Sequence, residues 1–139
     1  MTEYVPGTHV FETVSSETLY QGAILALRRD KVVMPDGRVA DREVVEHHGA
    51  VAVAAIDELD RLVLIRQYRH PVGHRLLELP AGLLDEPGED PLDAAKRELT
   101  EETGLAAAKW SVLVDIASSP GFSDEGVRVY LAEDLREVG

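Results

Sequence analysis

The chain contains no cysteine. A disulfide framework and thiol chemistry are therefore excluded. Basic residues are scarce: 14 Lys and Arg stand against 26 Asp and Glu, a formal net charge of −12. Nucleic acid as a partner needs basic patches, so this balance argues against it. No apolar run is long enough to span a membrane, and the opening MTEYVPGTHV lacks the character of a secretory signal. These absences lead to the expectation of a cytoplasmic protein with no membrane partner. Internal repeats, low-complexity tracts and clear linkers are also missing. The 139 residues suffice for one domain with a single core.

What is abundant is acid, and it is concentrated. Residues 85–102 carry Asp85, Glu86, Glu89, Asp90, Asp93, Glu98, Glu101 and Glu102 against Lys96 and Arg97, a local −6 and half of the total. Within this stretch a short helix is expected. Asp90 suits the N-cap, Pro91 the first helical position and Gly104 the C-terminal stop. Leu92, Ala95, Leu99 and Thr103 share one stripe that should face the core. Glu98 and Glu102 fall beside that stripe, at the border of core and solvent, with Arg97 and Glu101 further round.

This arrangement works against the helix. Glu98, Glu101 and Glu102 stand at i, i+3 and i+4 in the last turns, where like charges repel. The helix dipole favours cations at that end. A local conflict of this kind marks a functional site, and the simplest remedy is one or more bound divalent cations. Carboxylate oxygens suit Mg²⁺ or Mn²⁺, which keep several waters and pair with substrate phosphates. The plainer alternative is a solvated acidic face.

The run Arg97-Glu98-Leu99-Thr100-Glu101-Glu102-Thr103-Gly104-Leu105 resembles the second half of the Nudix box, G-x5-E-x7-R-E-U-x-E-E-x-G-U, where U is a bulky aliphatic. Glu89 fits the box glutamate. The opening glycine would then fall at position 83, which is Leu83, and Gly82 stands one residue early. The loop from Leu83 to Gly88 thus carries one extra residue, in a Pro/Gly segment where length changes are tolerated. Flanking motifs resemble the ADP-ribose pyrophosphatase branch of the Nudix hydrolases. They are Arg42-Glu43-Val44, Gln67-Tyr68-Arg69, Leu77-Glu78-Leu79-Pro80-Ala81-Gly82 and Ser119-Pro120-Gly121-Phe122-Ser123-Asp124-Glu125. The resemblance runs from about Phe11 onward.

By that resemblance Glu98 and Glu102 are the main metal ligands, Glu101 is a further one, and the Ala81 carbonyl completes the set. Arg97 orients a carboxylate, either Glu89 or a metal-binding glutamate. Arg69 holds a phosphate, Arg42 and Glu78 lie near the adenosine half, and Glu125 lies near the diphosphate and ribose. The implied reaction is Mg²⁺-dependent hydrolysis of ADP-ribose, a small nucleotide-sugar, to AMP and ribose 5-phosphate. The branch often exchanges N-terminal strands in a homodimer, so Arg42 would serve the partner's site. Branch members normally continue well past this point, which implies a longer parent protein whose catalytic base lies C-terminal of Gly139. Glu133, Asp134 and Glu137 are alternatives by residue type alone. An exposed sheet edge or bare apolar face is then expected at that end. No adenine-stacking aromatic can be named, although Tyr20 stands near the expected place.

Two other readings stay open. One is a Nudix hydrolase of another nucleoside diphosphate derivative. The other is a non-catalytic Nudix module that binds a nucleotide. Individual residues also have ordinary explanations: Arg69 as a surface strand residue, Pro120-Gly121 as a turn, Glu125 as a loop acid. The histidines show no H-E-x-x-H spacing, and His47 and His48 alternate faces on a strand, so both cannot reach one ion.

The remaining chain reads as strands. Thr18 to Met34 contains apolar runs ending at the turn Pro35-Asp36-Gly37, and Arg38 to His48 pairs back as a hairpin. Ala50 to Ile56 is a strand buried on both faces. After a turn at Asp57–Asp60, Arg61 to Gln67 is expected to return as its partner. Trp110 to Ala117 and Val127 to Leu131 are two further strands. The fold class is α+β. The resemblance implies an α/β/α sandwich with a mixed sheet over 49–139, preceded by an N-terminal antiparallel region over 1–48.

Overall fold

A computed structural model describes residues 7–139. The first six residues of the opening segment, read above for a signal, lie outside them. The chain falls into two compact units. One comprises the described residues up to His47 together with Ser119–Glu125, and the other comprises His48–Ser118 with Gly126–Gly139.

The first unit is built on three antiparallel strands in the order β1-β2-β3, with β1 at Thr13–Gln21, β2 at Leu25–Val33 and β3 at Val39–His47. Its second turn is the expected one: Gly37 has φ +84° and its N–H donates to the Met34 carbonyl at 2.9 Å. Its first turn, closed by Gly22 N–H on the Leu25 carbonyl at 2.8 Å, lies within the segment Thr18 to Met34 and separates β1 from β2. Gly22 is needed there, since a Cβ would meet the Tyr20 ring at 2.9 Å. The buried charge of this sheet is Asp30, which accepts from Ser16 Oγ at 2.7 Å and from Arg28 Nε at 3.1 Å.

The second unit holds a mixed four-stranded sheet. Its strands are β4 (Ala50–Ala55), β7 (Ala81–Leu83), β8 (Leu105–Ala117) and β9 (Gly126–Glu137), in the order β7-β4-β9-β8. β4 runs parallel to β9 and antiparallel to β7. The apolar run AVAVAA explains the central position of β4, because every residue is buried. Val51, Val53 and Ala55 pack on one face against the helix α1, Pro91–Thr103, through Ala94, Ala95 and Leu99. Ala52 and Ala54 pack with Val129 on the other. Leu99 is fully buried between sheet and helix. Leu99→Ala is expected to lower unfolding stability by about 2–5 kcal/mol, through lost transfer energy and the cavity left behind. Urea denaturation reads this, and a loss below about 1 kcal/mol would show that the site collapses.

The helix ends as its sequence demands. Asp90 caps it by accepting from the Leu92 N–H at 2.8 Å, and Gly104 closes it in the left-handed conformation at φ +71°.

One expectation needs correction. The segment Arg61 to Gln67 does not return along β4. Pairing lasts only through the Ile56–Leu62 bridge and the Val63 N–H to Ala55 carbonyl bond. β4 already has β7 on one side and β9 on the other, so no edge is free. The chain instead forms a separate hairpin of β5 (Ile65–Arg69) and β6 (His74–Glu78), turned by a 3₁₀ segment at His70–Val72. The described residues contain one α-helix, packed on one face of the mixed sheet, in keeping with the expected α+β class. No helix among them is long and apolar enough to cross a membrane. At the edge strand β8, Val112, Leu113, Val114 and Ile116 are each about half exposed.

Candidate active site

The acidic end of α1 lies against the strand that precedes it. β7 bonds to β4 through alternate residues: Val53 N–H donates to the Pro80 carbonyl and Leu84 N–H to the Gly49 carbonyl, both at 2.8 Å. In an antiparallel pair the residue between such bonds turns its N–H and C=O away from the partner. Ala81 is that residue, opposite Ala52. Its backbone therefore faces off the free edge of the sheet, and it makes a hydrogen bond to Glu102. The carbonyl expected as a ligand is thus presented on the same side as Glu102.

Glu98 and Glu102, one turn apart, meet here. Burial pushes the Glu102 carboxyl up to about 7, and the neighbouring Glu98 pushes in the same direction. The Ala81 backbone and the Arg69 charge partly offset this. One Glu102 oxygen, Oε2, is buried with no partner. A buried acceptor left unpaired costs free energy that a cation would recover.

Glu98 is held in place from beneath. A Cβ built on Gly82 would lie 2.3 Å from the Glu98 carboxyl carbon and Oε1 and 2.6 Å from Cγ. Only a residue without a side chain permits that approach. Gly82, one place before the box position, is thus the glycine that lies against Glu98. The sequence count alone left Gly82 one place out of register. What marked it was its position directly after Pro80-Ala81 at the strand end.

Arg97 ties the other acids together. Its Nε and Nη2 grip Glu89 at 3.0 and 2.9 Å, and Nη1 reaches Glu98 at 3.0 Å and Glu101 at 3.2 Å. These partners hold the guanidinium firmly charged, and they hold the Glu89 carboxyl below its ordinary range. Glu101 is 58% exposed and paired with Arg97. Among the described residues no three acids or histidines converge as a ready metal cage. The oxygens that do fit a hard divalent cation are the Glu98 and Glu102 carboxylates and the Ala81 carbonyl. That donor set suits Mg²⁺ or Mn²⁺, which retain several waters. Arg97→Lys removes the two-pronged grip on Glu89 and loosens Glu98. It is expected to weaken divalent-metal affinity roughly 10–100-fold, as for other groups that orient ligands. Isothermal titration with Mn²⁺ measures this, and unchanged affinity would show that Arg97 orients nothing.

The other expected residues fall in two places. Arg69 and Glu78, on neighbouring strands of the β5–β6 hairpin, grip each other at 2.7 and 2.5 Å. The pairing holds the Glu78 carboxyl below its ordinary range. The Arg69 charge also acts on Glu102, lowering its carboxyl against the effect of burial. Arg42 and Glu125 belong to the first unit. Arg42 is exposed, with Nη1 on the Asp41 carbonyl at 2.9 Å and Nη2 at 3.6 Å from the Met34 sulfur. Glu125 pairs with His47 Nδ1 at 2.8 Å. Spacing along the chain does not signal this contact.

Comparison with known proteins adds the following. A NUDIX domain model matches residues 46–138, and a nucleoside diphosphate sugar hydrolase N-terminal domain model matches residues 11–45. A Mycobacterium tuberculosis protein named ADP-ribose pyrophosphatase is 63% identical over 131 residues, covering 94% of this chain and 63% of that protein. A Bacillus methanolicus protein named methanol dehydrogenase activator is 43% identical, covering 89% of this chain and 66% of that one. A Bacillus subtilis ADP-ribose pyrophosphatase is 41% identical with the same coverage. The chain thus spans slightly less than two thirds of the length of these relatives. A crystal structure of an ADP compounds hydrolase superposes with a TM-score of 0.80 at 26% identity, covering 93% of this chain and 70% of that one.

Proposed function

The chain belongs to the NUDIX domain family, and from that premise we propose that it takes part in hydrolysis of the diphosphate of ADP-ribose, giving AMP and ribose 5-phosphate. The observation that carries this reading is the unpartnered, buried Glu102 oxygen set against Glu98 at the end of α1. Relatives named ADP-ribose pyrophosphatase support the substrate.

In this reading Glu98, Glu102 and the Ala81 carbonyl hold Mg²⁺, with Mn²⁺ as a substitute. Glu101 is an outer ligand once Arg97 releases it. The bound cation would activate the attacking water and offset charge on the phosphate oxygens. Gly82 keeps Glu98 in position, and Arg97 aligns Glu98 while anchored to Glu89. Arg69 offers its planar fork to a phosphate, exchanging Glu78 for the substrate. Arg42 and Glu125 bind the adenosine and ribose portions. We further propose a homodimer in which Arg42 serves the partner's site. The fully exposed β1, with Val14, Leu19 and Tyr20 uncovered, supports it.

The experiment is AMP release from ADP-ribose with Mg²⁺, run beside ADP-glucose, NADH and a deoxynucleoside triphosphate. Preferred turnover of ADP-ribose supports the proposal. Preference for another compound would transfer the chain to the hydrolases of that substrate. Nucleotide binding without turnover would favour a binding module.

A further inference from the structure

The segment Ser119–Glu125 lies between β8 and β9 in sequence, yet it is built into the N-terminal sheet. Val45 donates to the Phe122 carbonyl at 2.7 Å, and Asp124 N–H donates to the Val45 carbonyl at 3.2 Å. A parallel bridge pairs Val45 with Ser123. The segment is thus a short added strand on the free edge of β3. Its own turn is closed by Phe122 and Ser123 N–H groups on the Ser119 carbonyl, at 3.2 and 2.9 Å.

One side chain locks the end of this strand. Asp124 Oδ1 accepts from the His47 N–H at 3.0 Å, which continues the ladder one step beyond the backbone pairing. Its Oδ2 stands 3.9 Å from Arg28 Nη1. Arg28 is itself fixed by Glu46 at 2.9 Å and by Asp30, which accepts from Ser16. The chain of contacts Ser16–Asp30–Arg28–Asp124 therefore joins β1 and β2 to the segment. The next residue, Glu125, has its N–H on Ser123 Oγ at 3.1 Å and its carboxylate on the His47 ring. His47 thus receives Asp124 on its backbone and Glu125 on its side chain.

We infer that Asp124 is a positioning residue: through the His47 N–H it sets the place of Glu125 and the Ser119–Gly121 turn, so that the N-terminal sheet determines how tightly substrate is held. The inference rests on the proposed role of this segment in binding the substrate. It extends that role to a residue with no substrate contact of its own. An acid at this place is built for it, since its oxygen substitutes for a strand carbonyl and its charge faces Arg28.

The test pairs two measurements on wild type, Asp124→Ala and Asp124→Asn. Amide hydrogen exchange of Val45, His47 and Asp124 needs no substrate. Steady-state kinetics with ADP-ribose separates KM from kcat. In Asp124→Ala, exchange at these amides and KM are each expected to rise roughly tenfold, with kcat within about twofold, as one charge-assisted bond would give. Asp124→Asn keeps an oxygen acceptor and is expected to restore both to within about threefold. Unchanged exchange in Asp124→Ala would refute the anchoring. Faster exchange with unchanged KM, or failure of Asn to rescue, would refute the positioning role. A wild type that turns over no ADP-ribose fails the functional reading instead, while the exchange data still decide whether Asp124 anchors the segment.

Discussion

Glu102→Gln is expected to abolish metal-dependent turnover, with a fall on the order of a thousandfold, because it removes a ligand charge where phosphate charge develops. The same change should stabilise the metal-free protein. Glu102 in the folded chain is raised to about 7 from an ordinary value of 4.5. The native state therefore binds more protons than the unfolded state between those values. Stability rises with pH only where the unfolded state binds more, so here it must fall as pH climbs through that window. In the presence of a chelator, wild type should lose melting temperature from about pH 5 to pH 7.5, and Glu102→Gln should lose less. Added Mg²⁺ should reverse the loss in wild type alone. Identical melting curves with and without metal in both proteins would refute the metal site.

Gly82→Ala is expected to be the second most damaging change, for a different reason. The new methyl would occupy the place of the Glu98 carboxylate. Those atoms end a flexible side chain, so the fold can respond by swinging Glu98 aside. We expect a small shift of melting temperature, under about 4 °C, corresponding to less than about 1 kcal/mol. Activity, by contrast, should drop on the order of a hundredfold, as for a misplaced catalytic group. A titration with Mn²⁺ should show weakened binding in parallel. Global unfolding would mean that the strand, not the glutamate, bears the strain. Full activity would mean that Glu98 has another productive position.

The two variants separate what a carboxylate supplies from what its placement supplies. Glu102→Gln keeps the geometry and removes the charge. Gly82→Ala keeps every charge and moves one. Together with Arg97→Lys, they probe a ligand, the floor it rests on and the cation that aims it.

Much of this centre was legible beforehand because it is local. Capping by Asp90, Pro91 at the helix start, the stop at Gly104 and the core stripe through Ala95 and Leu99 depend on neighbours within a few residues. The repulsion among Glu98, Glu101 and Glu102 follows from helical spacing alone. So does the placing of Glu98 beside Glu102, whereas the diversion of Glu101 to Arg97 depends on a rotamer choice that spacing leaves open. The unbroken apolar run of β4 likewise announces burial on both faces.

Long-range pairing was a different matter. Which edge of β4 is free depends on β7 and β9, whose residues lie far along the chain, so the partner of Arg61 to Gln67 was misassigned. Arg69 and Glu78 are each suited to a ligand, and only the hairpin register shows that they hold each other. The membership of Ser119–Glu125 in the N-terminal sheet is decided by an open strand edge at β3, not by any signal within the segment. By itself, then, the amino-acid order determined the helix, its caps and the acids it carries, because those rest on periodicity and on short-range hydrogen bonds. Only the tertiary structure decided that Gly82 lies under Glu98, that Ala81 turns its backbone toward Glu102 and that Asp124 grips His47. Each of those contacts joins separate elements, and strand pairing and register are what bring them together.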